Sequence, residues 1–186
     1  MGRSTDNLDF SLGHHPGAGD VTATIVNLTE ATADHIRAER VRINQGGANT
    51  VTATDVEISQ GGVSQVTAQK MTLAQGGAAF VKTVDFNLRE GAAGLVNAEM
   101  AAIHNSGVGA VYGQTVDLRE GTHTGVVAAR QINAAANART TVLLAGKVEG
   151  DVVTLMDTRQ VVLAGLGFGA AAGLFMLIAG WFRRGK

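Results

Sequence analysis

The chain has 186 residues, a formal net charge of −1 and no cysteine. That length leaves room for one domain plus an attached segment. The charge balance excludes a broadly basic nucleic-acid-binding surface, and the lack of cysteine excludes disulfides and thiolate chemistry.

Aromatic residues make up only 4% of the chain, against 25 glycines, so a core built on large rings is not expected. A thin core of Val, Ile, Leu and Ala is. Residues 1–20 contain no apolar h-region and are not expected to form a signal peptide. Asp6 stands where the myristoylation pattern needs Ser or Thr. Leu8, Phe10 and Leu12 alternate with polar residues, so residues 1–15 are either a tail or a capping strand.

From Pro16 the sequence repeats every fifteen residues: PGAGDVTATIVNLTE, ATADHIRAERVRINQ, GGANTVTATDVEISQ, and onward without insertion to residue 135. With the places in each row numbered from Pro16, the sixth is always β-branched, including Val51, Val66, Val81, Val96 and Val111. The thirteenth holds Ile58, Leu73, Leu88, Ile103 and Leu118, then fails at Asn133; the eleventh fails at Gln131 and the third at His123. Fifteen divides into three fives, each with small or apolar residues at its first and third places. Two inward residues separated by one outward residue are the signature of a short strand. The pairs Gly46-Gly47, Gly61-Gly62 and Gly76-Gly77 suit a corner with positive φ, and glycine at this frequency would break helices.

The expected fold is therefore all-β: a single-stranded β-solenoid, or parallel β-helix, of triangular coils with fifteen residues per turn and about eight to nine coils. One coil buries about three sizeable side chains, each contributing roughly 1.5–3 kcal/mol. Ordering its backbone costs more, at about 1–2 kcal/mol per residue. Stacking must supply the difference.

Outward places fit a structural role. Arg40, Asp55, Lys70 and Asp85 occupy the tenth place of successive rows, a ladder of alternating charge. Gln45, Gln60 and Gln75 make an amide ladder at one corner. Thr22 and Thr24, with Thr52 and Thr54, sketch an ice-binding T-x-T row, but Arg37 and Glu39 interrupt it and Lys82 and Val84 end it.

Residues 136–158 still alternate and are expected to form an irregular terminal coil and linker. Within them, Gly146-Lys147-Val148-Glu149-Gly150-Asp151-Val152 resembles the G-x-V-x-G-D-V/I coil motif of bactofilins. The resemblance implies a β-helix and a cytoskeletal role, with end-to-end polymerisation that needs no nucleotide.

Residues 159–182 are expected to be a transmembrane helix, because Val161 to Phe182 is uncharged throughout and long enough to cross about 30 Å of hydrocarbon. Gly165, Gly169 and Gly173 share one face at four-residue spacing, which permits close approach of a second helix. Trp181, with Arg183, Arg184 and Lys186 of the basic tail 183–186, marks the membrane interface. The basic tail favours a cytoplasmic C-terminus, whereas a helix so near the C-terminus reads as a tail anchor with a cytoplasmic solenoid. The balance tilts to the second.

No P-loop, GxGxxG or GxSxG is present. His35, His104 and His123 occupy different places in their rows, so they do not converge as zinc ligands would, and His14-His15 has no supporting ligand. No pocket histidine suits the acyltransferases that use triangular β-helices. The sequence thus reads as a non-enzymatic, single-pass membrane protein without cofactor or metal. It has no small-molecule substrate; its partners are membrane lipid and further copies of itself. The expected function is a scaffold that assembles through coil ends and the glycine-rich membrane helix. The alternative is a surface-displayed binding or adhesion module.

Overall fold

The computed structural model describes residues 9–13 and 18–156. Among them the strands in chain order are β1 (Asp9–Gly13), β2 (Ala18–Thr22), β3 (Ile25–Thr29), β4 (Thr32–Arg37), β5 (Arg40–Thr52), β6 (Asp55–Thr67), β7 (Lys70–Ala74), β8 (Gly76–Arg89), β9 (Ala92–His104), β10 (Gly107–Leu118) and β11 (His123–Met156). The described pairings are all parallel, and each turn of chain lies on the one before. The result is an all-β parallel β-solenoid of about nine turns, with no helix among the described residues.

The register explains the columns. Val26 pairs with Val41, then Val56, Met71, Phe86, Ala101 and Val116, always fifteen residues on. These side chains are all buried, as are Val51, Val66, Val81, Val96 and Val111 at the sixth place and Ile58, Leu73, Leu88, Ile103 and Leu118 at the thirteenth. Pairing skips the fourth place between Ala33↔Ala48 and His35↔Thr50, and the ninth between Ala98↔Gly113 and Met100↔Thr115. It shifts again between Ile43 and Gly46. These are the three corners of each coil. At the ninth place one carbonyl serves two donors: Glu39 O accepts from Thr54 N at 3.0 Å and Asp55 N at 2.9 Å. The backbone thus turns without leaving an unpaired donor there.

Two expectations are corrected. The fifteen-residue repeat does not run unbroken to 135. β10 pairs with β11 sixteen residues on: Val108 with Thr124, Val111 with Val127, Val116 with Ile132, and Leu118 with Ala134. One extra residue enters at the corner after Leu118, where Gly121 takes φ 71°. Thr122 Oγ1, fully buried, donates to Ile103 O at 3.0 Å and ties that corner down. So Val127 is buried and Val126 is 39% exposed, and His123, Gln131 and Asn133 fall outside the core columns. The same sixteen-residue offset joins β1 to β3, with Phe10 paired to Val26.

The glycine pairs also serve a different end. The left-handed backbone lies mostly one residue earlier, at Glu30, Gln45, Gln75, Glu90 and Asn105, with φ between 46° and 55°. The first glycine of each pair is needed for closeness, and at Gly61, with φ 147°, for backbone conformation as well. A Cβ on Gly46, Gly61 or Gly76 would sit 2.1, 1.9 or 2.2 Å from the carbonyl oxygen of the coil before it. The second glycine is freer in the later pairs: a Cβ on Gly62 or Gly77 would stand 3.8 or 3.9 Å from its nearest neighbour, against 3.0 Å from Gly62 O for one on Gly47.

Candidate interaction surfaces

A solenoid offers its surroundings three sides, three corners and two ends. The side bearing the tenth and twelfth places is charged in its first half. Arg40, Asp55, Lys70 and Asp85 stand in register on adjacent strands. The ion pair there forms at the twelfth place, where Arg42 Nε lies 3.3 Å from Glu57 Oε2, both side chains more than half exposed. Such a pair contributes little to stability and leaves the stripe locally neutral.

The corner at the fifteenth place carries an ordered amide ladder. Gln45 Nε2 donates to Gln60 Oε1 at 3.0 Å, Gln60 Nε2 to Gln75 Oε1 at 3.1 Å, and Gln75 Nε2 to Glu90 Oε2 at 3.0 Å. Every amide therefore donates along the stack, and the terminal carboxylate accepts. At the next corner Asn49 Nδ2 donates to Asp34 Oδ1 at 2.8 Å. These contacts hold neighbouring coils in register.

The side bearing the fifth and seventh places changes along the axis. Its early coils present Asp20, His35, Thr50 and Gln65 at the fifth place, and its later coils Phe80, Leu95 and Val126. Phe80 is 59% exposed and Tyr112, at the seventh place, 66%. A groove of about 640 Å³ runs beside this stripe, its polar lining including Lys82, Asn97, Glu99, Gln114 and Arg130. The sequence reading missed this stripe. Its signal was there, in the fifth place turning from Gln65 to Phe80 and Leu95.

Buried polar side chains are few and paired. Thr83 Oγ1 lies 2.9 Å from Gln69 O and 3.0 Å from Asp85 O. Thr124, stacked on Val108 at the third place, and Thr140, sixteen residues on, have their hydroxyls 2.8 Å apart. Among the described residues no three His, Asp or Glu side chains are grouped to hold a metal ion. His35, His104 and His123 lie at the fifth, fourteenth and second places of different coils, all exposed.

The last coil contains the bactofilin-like stretch. Gly150, at φ 100°, stacks over Ala134, whose carbonyl oxygen would lie 1.9 Å from a Cβ there. Lys147 Nζ reaches Glu149 Oε1 at 2.5 Å. Val148 continues the eleventh-place column beyond Val116 and Ile132; those two are fully buried, whereas Val148 is 42% exposed. Gly165, Gly169, Gly173, Trp181, Arg183, Arg184 and Lys186 lie outside the described residues, within which no helix is long and apolar enough to cross a membrane. No protein-family model, curated protein or solved structure matches this chain.

Proposed function

We propose that the chain is a membrane-anchored scaffold: a rigid solenoid held at a bilayer by its C-terminal apolar segment, which assembles with further copies of itself. The observation that carries this reading is the end of the stack. The eleventh-place column is fully buried at Val116 and Ile132, but Val148, the last described residue of that column, is 42% exposed. A further coil laid on that end would cover it and would pair the strand edge beneath. Contact of one copy's end with the other end of its neighbour is heterologous, and such contacts build filaments when they do not close into rings. The likeness of Gly146–Val152 to the bactofilin coil motif points the same way.

Val161 to Phe182 supplies the anchor, and Gly165, Gly169 and Gly173 a face on which two anchors pack. End contacts and helix contacts act multivalently, because the second becomes intramolecular once the first has formed. On this reading the solenoid stands on the cytoplasmic side of the bilayer. The test is the particle mass of the full-length protein reconstituted in lipid, over a hundredfold range of protein-to-lipid ratio. Multi-copy assemblies support the reading, and strict monomers at every ratio refute it.

A second reading has its own support. The groove beside the exposed Tyr112 offers an aromatic ring flanked by hydrogen-bonding side chains, which suits a displayed binding module. Protease added to intact cells separates the two: a cytoplasmic solenoid is protected, and a displayed one is exposed to attack.

A further inference from the structure

The apolar stripe is the surface feature that a self-neutralising structural stack does not explain. Phe80, Leu95 and Val126 are 59, 48 and 39% exposed, and Tyr112 is 66% exposed. They are contiguous: Phe80 pairs with Leu95, Leu95 with Ala110 and Ala110 with Val126 along the fifth place. Along the seventh place Asn97 pairs with Tyr112 and Tyr112 with Ala128. At about 4.8 Å per coil the stripe is roughly 15–20 Å tall. These four side chains alone leave an exposed area on the order of 400 Å². Two such faces, with the smaller residues around them, bury on the order of 1,000 Å², which is where specific interfaces begin.

We propose that this face is a lateral contact with a second copy of the chain, the two solenoids standing side by side and pointing the same way. The order of residues on the face is the argument. A two-fold axis parallel to the solenoids sets the fifth place of each coil against the seventh place of the same coil in the mate. Ala110 then faces Tyr112, Val126 faces Ala128, and Leu95 faces Asn97. In the first two a bulky side chain meets a small one. Phe80 faces Lys82, whose aliphatic stem covers the ring. An antiparallel pair centred on that coil would instead set Tyr112 against Tyr112 and Ala110 against Ala110, ring on ring and gap on gap. The early coils of the same face are polar and remain hydrated, so the contact is confined to the half of the rod that leads into the C-terminal segment. The shared direction rests on the anchored reading above, because two chains held in one bilayer by their C-terminal segments point the same way.

The chain has no cysteine, so single thiols can be placed cleanly. Full-length Leu95→Cys and Asn97→Cys are mixed, reconstituted together in lipid vesicles and oxidised. The expected result is a disulfide between the two variants, well above that from a mixture of Asp85→Cys and Asn87→Cys, which have the same spacing on another side of the coil. Tyr112→Lys, with an unchanged circular dichroism spectrum, should weaken the lateral association at least about tenfold. Three outcomes overturn the proposal. One is cross-linking no better than the Asp85/Asn87 pair while the protein remains oligomeric, which leaves the anchored-scaffold reading intact. Another is efficient cross-linking of Ala110→Cys with itself, which only an antiparallel pair allows. The third is quenching of a probe on Leu95→Cys by lipid-borne quenchers without cross-linking, which gives the face to the bilayer. If the unmodified protein is monomeric throughout, the scaffold reading falls as well, so the two failures are distinguishable.

Discussion

Gly76 and Gly77 are neighbours in sequence and equally half-buried, yet alanine should have opposite effects at the two. A Cβ on Gly76 would lie 2.2 Å from Gly61 O, about an ångström inside contact distance, and 3.2 Å from that residue's C and N atoms. The obstructing atoms are backbone in the adjacent coil, and alanine has no rotamer with which to escape. The two coils must separate at that corner, straining the packing by about 1–3 kcal/mol and weakening a ladder hydrogen bond by about 1 kcal/mol more. A Cβ on Gly77 would stand 3.9 Å from Ala92 O, an ordinary contact, and Gly77 does not have positive φ. Gly77→Ala should therefore stabilise by about 0.4–1 kcal/mol, through the loss of unfolded-state freedom.

At about 2–4 °C per kcal/mol for a chain of this size, Gly76→Ala should lower the melting temperature by roughly 5–15 °C, and Gly77→Ala should raise it by a few degrees. Calorimetry gives the midpoints. Hydrogen exchange should accompany it, because stacked repeats can open locally before they unfold globally. In Gly76→Ala the amides of Gly61, Gly62 and Gly76, Gly77 should exchange faster while those of β10 stay protected. Equal shifts for the two variants would refute the argument that close stacking, rather than backbone conformation, selects the first glycine.

The register change after Leu118 predicts that Val127→Asp, at a fully buried position, loses several kcal/mol, whereas Val126→Asp, 39% exposed, loses under about 1 kcal/mol; denaturant titration of the two reads this directly, and the reverse order would restore the unbroken fifteen-residue frame. Val66→Asp should be similarly severe because Val66 is 1% exposed, while Lys70→Ala, on the outer face, should cost under about 1 kcal/mol. Comparable melting losses for that pair would contradict the inward and outward assignment. For the anchor, Gly169→Ile should reduce the size of the assembly in lipid, since a β-branched side chain on the glycine face keeps two helices apart; an unchanged particle mass would remove that helix from the assembly.

The core columns were legible because one physical constraint repeats: each inward place is closed by the same place one coil away, so Val51, Val66 and Val81 had to agree. The slip to sixteen residues was hidden by the doublet Val126-Val127, which offers a valine at the sixth place in either frame. Ile132, between Gln131 and Asn133, held the clue, since it is the apolar residue that a shifted frame returns to the eleventh place. The left-handed corner residues were not legible. Gln45, Gln75 and Glu90 are residue types without special preference for positive φ, and the stack imposes it. Their side chains gain something in return, because that corner aligns Gln45, Gln60 and Gln75 into a bonded ladder. The tenth-place charges were readable as a neutral stripe. Which partners close to ion-pair distance depended on side-chain reach, and Arg42 and Glu57 do so one outward place further on. The apolar face was overlooked because period-two patterning directs attention to the inward places, and the outward fifth place carries no periodic constraint of its own.

Imaging the full-length protein in lipid by electron microscopy tests the central claim most directly. The account predicts rods gathered into multi-copy assemblies, with a layer spacing of about 4.8 Å along each rod and neighbouring rods pointing the same way. Isolated single rods, at every protein-to-lipid ratio, would contradict it.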